Sequence, residues 1–258
     1  MSRSMQIGAQ LYTLREYTKT RDDLEKTFEK LAAMGFRSVQ ISALGPIPVD
    51  EVAETLGNHG LTCAATHMGW NKFEEDLDAV IATHKAWGCV HTAIGGAPQD
   101  RYLVQDGWKA FAGDLAPIAE KLAAEGMDFS YHNHDWEFRH FDGKPWLEHL
   151  YATCPPEHLK AELDLHWVTR GGGDPAAWVR KLGNRQPVVH VKDFVVSEKR
   201  EPQFAPVGHG NMNWDAILPA CEEVGVETLL IEQDDCYGED PFACLEKSYR
   251  FLRDCGHG

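Results

Sequence analysis

Eight short apolar or alternating runs recur along the chain, each followed by a stretch with helical spacing. They occupy positions 5–10, 38–42, 62–67, 89–94, 128–134, 159–164, 188–192 and 228–232. Their spacing of roughly 25–40 residues is that of one strand-plus-helix unit. Between them, apolar residues fall at i, i+3, i+4 and i+7. Leu24, Phe28 and Leu31 precede Gly35, and Val52 and Leu56 precede Gly60. Leu115, Ile118 and Leu122 precede Gly126, and Ile217, Cys221 and Val224 precede Gly225. A glycine at each of these ends supplies the left-handed residue that stops a helix and turns the chain toward the next strand. Asp174-Pro175 and Asp240-Pro241 read as an N-cap followed by proline in the first turn, opening the sixth and eighth helices.

Eight such units predict a closed parallel (β/α)8 barrel, a single domain over 1–258. The alternative is an open doubly wound sheet. Its dinucleotide-binding form is weakened because no G-x-G-x-x-G follows the first run. Residues 199–206 read as a long polar loop after the seventh strand.

Composition narrows the function classes. The 258 residues are 43% hydrophobic and 25% charged, as in a globular protein, and the length suits a barrel of about 250 residues. A formal net charge of −15 argues against a nucleic-acid partner, which needs lysines and arginines to neutralise phosphates. No run approaches the roughly 18 apolar residues of a membrane span, and the start lacks the apolar core of a secretory signal. The 7 cysteines are scattered without a C-x-x-C pair, so they are expected to be reduced thiols in a cytoplasmic protein.

In a barrel, chemistry sits at the C-terminal ends of the strands. There the polar residues collect: Tyr131-His-Asn-His-Asp-Trp-Glu-Phe138, Glu162-Leu-Asp-Leu-His-Trp167, His190-Val-Lys-Asp193 and Glu232-Gln-Asp-Asp235. Alternation places His132 with His134, Glu162 with Asp164, His190 with Lys192, and Glu232 with Asp234. So many inward ionisable groups need compensation, which one divalent cation supplies. A mixed carboxylate and imidazole set suits Mn²⁺, Zn²⁺, Co²⁺ or Fe²⁺ better than Ca²⁺.

These runs, with Val-Gly-x-Gly-x-x-x-Trp at 207–214 and Ile-Glu-Gln-Asp at 231–234, resemble the sugar phosphate isomerase/epimerase group of the xylose isomerase-like TIM barrels. The resemblance extends from Gln10-Leu-Tyr at strand one to strand eight. It implies one rim metal, with Asp164, His190 and Glu232 at the aspartate, histidine and glutamate positions. At the end of strand five, many relatives carry glutamate where this chain has His132, with His134 as the competing ligand. Two-base ketose epimerases of the group use the strand-five and strand-eight glutamates on opposite faces of the substrate, so His132 departs from that mechanism. The group also contains zinc endonucleases with a histidine three residues after the strand-six aspartate. Here that position is Trp167, which, with the acidity, disfavours that branch.

The expected chemistry is removal of a proton beside a carbonyl through a metal-stabilised enolate, with a sugar or keto-sugar as the small-molecule substrate. Isomerisation or epimerisation leads. Dehydratase or lyase action on a keto-sugar or 3-keto-glycoside is the alternative, and a non-catalytic sugar-binding barrel is a third reading. Glu232, Lys192 and His134 are the candidate proton-transfer groups, with a salt bridge to Glu162 or Asp164 as the competing role for Lys192. Glu162 is the candidate for orienting a ligand. Gln10, His67, Trp136, Glu137 and Trp167 are expected to contact substrate, with Tyr12 and Trp70 adding to an aromatic rim; a solvated loop position is the other reading of Glu137. His209 lies in a loop that approaches the rim without an assigned role. Arg101 and Arg170 are loop cations, but no glycine-rich phosphate cradle is evident. A homo-oligomer is compatible with all of this.

Overall fold

The structure is a computed structural model that describes residues 4–258. Its strands are β1 (Gln6–Gln10), β2 (Ser38–Ile41), β3 (Thr62–His67), β4 (His91–Ile94), β5 (Asp128–His132), β6 (Lys160–Asp164), β7 (Val188–Val191) and β8 (Thr228–Ile231). Each pairs in parallel with its sequence neighbours, and β1 pairs with β8 to close the barrel. The longer helices outside it are α1 (Arg21–Met34), α2 (Val49–Asn58), α3 (Leu77–Trp87), α4 (Gly107–Ala124), α5 (Trp146–Thr153), α6 (Pro175–Leu182), α7 (Trp214–Val224) and α8 (Pro241–Asp254).

The local signals act as expected. Leu24, Phe28 and Leu31 form the buried stripe of α1, and Gly35 at its end has φ +108°. A Cβ at Gly35 would lie 2.6 Å from the Tyr249 hydroxyl, so α8 also requires glycine there. Asp174 Oδ1 accepts from the Ala177 N–H at 3.1 Å and Asp240 Oδ1 from the Phe242 N–H at 3.1 Å, opening α6 and α8.

Inside the barrel a small apolar layer formed by Ala65, Val188 and Leu230 underlies the polar one. Gly8 belongs to it, since a Cβ there would meet Ser38 Oγ at 2.8 Å and Leu230 Cδ2 at 2.9 Å. Above it lie Gln10, Gln40, His132, Glu162, Asp164 and His190, all buried. Register brings partners together: His132 pairs with Glu162 across β5 and β6, and Asp164 with His190 across β6 and β7.

Three expectations are corrected. Residues 199–206 are not simply a loop, because Pro202–Ala205 pairs antiparallel with Asp193–Val196 as a ribbon over the rim. β5 ends at His132, so His134 is not a strand residue. Trp70 is buried against Phe73, Tyr102, Phe111 and Phe129 and belongs to the packing, not the rim. All 7 cysteines are free thiols. Among the described residues, no helix is long and apolar enough to cross a membrane.

Candidate metal centre and active-site pocket

Asp164 ends β6 and starts the short helix Leu165–Arg170. Its Oδ1 is used as the helix cap, accepting from the Trp167 N–H at 2.9 Å, which leaves Oδ2 free to face the barrel mouth. Asn133 fixes the backbone, its Oδ1 accepting from the Asp164 N–H at 3.0 Å. His190 Nδ1 lies 3.9 Å from Asp164 Oδ2 and 2.8 Å from Glu232 Oε2. His132 Nε2 lies 3.8 Å from Asp164 Oδ2.

Three donors, from the end of β6, from β7 and from just past β8, therefore converge, while His132 on β5 approaches Asp164 and falls in a separate group with His67, Glu162 and His190. Asp164, His190 and Glu232 offer ligand atoms within 4.8 Å of one another. Ligand bonds near 2.1 Å at tetrahedral angles separate donors by about 3.4 Å, so the observed separations suit a divalent ion. Asp164 Oδ2 is buried and accepts no hydrogen bond of good geometry, its nearest cation being the Lys192 ammonium at 3.2 Å. The donor set fits a transition metal.

Glu162 lies beneath. It is fully buried, and its Oε1 is in contact with His67 Nε2 and lies 3.0 Å from His190 Nε2. Gln40 Nε2 donates to both of its oxygens at 2.9 Å. Burial alone would raise the Glu162 pKa, but the His67 and His190 imidazoles bring it down to about 2. Burial likewise opposes charge on His190, yet Glu162 and then Glu232 lift it to about 10. His67, His132, Glu162 and His190 also form a second group with metal-ligand spacing. Gln40 supplies a neutral donor there, which suits a carboxylate that orients His190 from behind.

Lys192 is the other cation. Its Nζ is 2.8 Å from Glu232 Oε2, 3.2 Å from Asp164 Oδ2 and 2.9 Å from Asp234 Oδ1. The expected salt bridge to Asp164 is present; Glu232 and Asp234, not Glu162, are the further partners. Burial disfavours its charge, but Asp164 and these two carboxylates hold it strongly protonated. Asp234 is raised to about 6 by burial and by Glu232.

A cavity of about 470 Å³ opens above, lined by Tyr12, Ser42, His67, His132, His134, Lys192, Glu232 and Asp234 among others. His134 stacks on Trp136 with ring centroids 4.0 Å apart, and Trp167 lies 5.4 Å from it. Burial lowers the His134 pKa to about 3, so the ring is neutral at physiological pH. His134 is in neither ligand group. Gln10 is buried behind His67, its Nε2 3.3 Å from His67 Nδ1. Glu137 is not a solvated loop residue: it is buried and accepts from the Tyr131 hydroxyl and the His134 N–H, each at 2.8 Å.

The remaining candidates lie elsewhere. Arg101 pairs on the surface with Glu74 and Asp114. Arg170 sits over Trp167, 5.9 Å from the ring centroid. His209 lines a separate cavity with Phe204, Cys236 and Tyr237. The glycines beside it serve Asp193, whose Oδ2 accepts from the Gly208 N–H, the Gly210 N–H and Trp214 Nε1. The motif at 207–214 thus builds a loop around one buried carboxylate. Sequence reading gave no role to Gln40, Asn133 or Asp234. For Gln40 the signal was a polar residue inside a short apolar strand.

Residues 28–255 match the xylose isomerase-like TIM barrel family. The chain is similar to the rhizopine catabolism protein MocC of Rhizobium meliloti, at 22% identity over 82% of this chain and 75% of that protein. Among solved structures it is similar to a sugar phosphate isomerase/epimerase from Parabacteroides distasonis, with TM-score 0.84, 21% identity and coverage of 98% and 95% of the two chains. An L-ribulose 3-epimerase gives TM-score 0.74 at 18% identity, covering 96% and 93%. The Bacillus anthracis protein described as "probable 3-DHS dehydratase AsbF" gives 0.71 at 14%, covering 96% and 99%. At these identities the structures show a shared fold. With a match over most of its length and the closed parallel barrel described above, the chain belongs to the xylose isomerase-like TIM barrel family.

Proposed function

We propose that the protein is a divalent-metal-dependent enzyme that isomerises or epimerises a sugar or keto-sugar. The observation that carries this reading is the convergence of Asp164 Oδ2, His190 Nδ1 and Glu232 Oε2 at the floor of a polar cavity. With His132 Nε2 they would hold one ion of Mn²⁺, Zn²⁺, Co²⁺ or Fe²⁺ type. When bound, the ion draws charge from a substrate carbonyl and acidifies the neighbouring C–H. Glu162 holds His190 in orientation from behind. Lys192 and His134 line the cavity together and are the candidate proton-transfer groups beside the metal, with Glu232. Trp136 and Trp167 offer flat faces for sugar C–H surfaces, and His67 lines the cavity with Gln10 supporting it from behind.

His132 favours a second reading. An imidazole that binds metal through one nitrogen cannot act as a carboxylate base on the far face of the substrate. A charged lysine beside the cavity suits protonation of a departing hydroxyl or glycosyl oxygen. Dehydratase or lyase action on a keto-sugar or 3-keto-glycoside follows from the same site.

The first test is elemental analysis of the purified protein with Asp164→Ala and Glu232→Ala. Near-complete loss of bound metal is expected in both, and full stoichiometry in either contradicts the ligand set. Incubation with candidate sugars in D₂O then separates the outcomes. Deuterium at carbon marks isomerisation or epimerisation; an unsaturated or cleaved product marks the lyase. Sugar affinity that survives chelation, with no turnover of any sugar, would leave a binding barrel instead.

A further inference from the structure

Two cations compete for the same oxygens at the barrel mouth. Lys192 Nζ contacts Glu232 Oε2 at 2.8 Å and Asp164 Oδ2 at 3.2 Å. These are the carboxylate atoms assigned above to the metal. The same ammonium is also held by both oxygens of Asp234, at 2.9 and 3.1 Å.

Asp234 stands apart from the ligand set. It belongs to neither group of metal-spaced residues, and it lines the cavity. Its backbone is tied down, because Arg15 Nη2 donates to the Asp234 carbonyl at 3.1 Å. The Trp167 ring centroid also lies 5.7 Å from Nζ, a face that tolerates a cation. Lysine carries its charge on a flexible four-carbon stem, so a small rotation moves the ammonium without moving β7.

We propose that Lys192 is the built-in counter-ion of Asp164 and Glu232, and that Asp234 is the seat to which it withdraws when a divalent ion takes those two carboxylates. This rests on the metal reading given above and adds a positioning role for Asp234. A monovalent and a divalent cation cannot share two carboxylate oxygens without strong repulsion in a buried site. Metal entry therefore displaces Lys192 from Asp164 and Glu232. Asp234 holds the ammonium at the cavity wall. The lysine thus sets the metal affinity, and the aspartate offsets part of that competition.

The test is Mn²⁺ affinity, read by competition with a fluorescent chelator, in wild type, Lys192→Met, Asp234→Asn and the double variant. Lys192→Met removes the charge and keeps the stem, so Mn²⁺ binding tightens about tenfold or more. Asp234→Asn removes the retreat, so binding weakens about fivefold although Asp234 is no ligand. In the double variant the Asp234→Asn effect vanishes, because no ammonium remains to be seated. Lys192→Gln, purified with Mn²⁺ present, replaces Lys192→Met if the latter fails to fold. Mn²⁺ binding of equal strength in wild type and the lysine variants overturns this inference alone. So does a weakening by Asp234→Asn that persists in the double variant. Absence of Mn²⁺ binding in both wild type and Lys192→Met overturns the metal reading and this inference with it.

Discussion

Glu137 joins two loops at the mouth of the barrel through its carboxyl group. It accepts from the Tyr131 hydroxyl, and that hydroxyl in turn accepts from the Ala97 N–H at 3.0 Å. Its second oxygen fixes the His134 backbone. Burial pushes this carboxyl up to about 7. An unfolded glutamate titrates near 4.3, so the fold favours the protonated form. Its contribution to stability is complete below about pH 4 and is lost as the pH rises through 7. The loss amounts to about 4 kcal/mol. Glu137→Gln mimics the uncharged group, so its stability relative to wild type should improve between pH 5 and pH 8. Urea unfolding of both proteins at the two pH values measures this. A relative stability that stays flat or worsens toward pH 8 would show that Glu137 is charged at no cost in the native state.

At the level of strands and helices, most of the architecture was legible because each unit carries its own punctuation. The run at 188–192 became β7 (Val188–Val191), and the run at 128–134 became β5 (Asp128–His132), shortened where the chain turns at Asn133. The ribbon of Asp193–Val196 with Pro202–Ala205 escaped notice because its strands are four residues each, the second opens with proline, and the charged run 198–201 between them reads as a loop. Alternation put Glu162 with Asp164, His190 with Lys192 and Glu232 with Asp234 on the inner face, and the family resemblance picked Asp164, His190 and Glu232 out of those pairs. The support beneath them was not legible. Gln40 meets Glu162 across the barrel from 122 positions away, a contact set by closure and register. Two substitutions compare the local signals. Asp174→Ala removes the N-cap of α6 and should cost about 1 kcal/mol. Gly35→Ala forces a left-handed residue and drives a methyl group at Tyr249, so about 2 kcal/mol or more is expected. Urea denaturation that ranks the cap change as the costlier of the two would contradict the close approach of α1 and α8.

For the molecule as a whole, the closed barrel concentrates charge on its axis. Glu162, Asp164, Glu232 and Asp234 face two cations there that are held strongly protonated, His190 and Lys192. Burial raises Asp164 and Asp234 because this compensation is incomplete. A ligand that binds only the folded state stabilises it, by about 2.7 kcal/mol at a hundred times its dissociation constant. For a chain of this size each kcal/mol moves Tm by about 2–4 °C, so a rise of about 5–10 °C is expected on adding Mn²⁺ or Zn²⁺. The ion must displace the proton that His190 holds up to about 10, so the rise should grow from pH 6 to pH 8. The acidic surface, with a net charge of −15, attracts any divalent ion weakly, which makes Ca²⁺ the control. Differential scanning calorimetry of wild type and Asp164→Ala separates the two effects. An equal rise in the variant, or with Ca²⁺ in place of Mn²⁺, would locate the stabilisation on the surface and leave the axis without its ion.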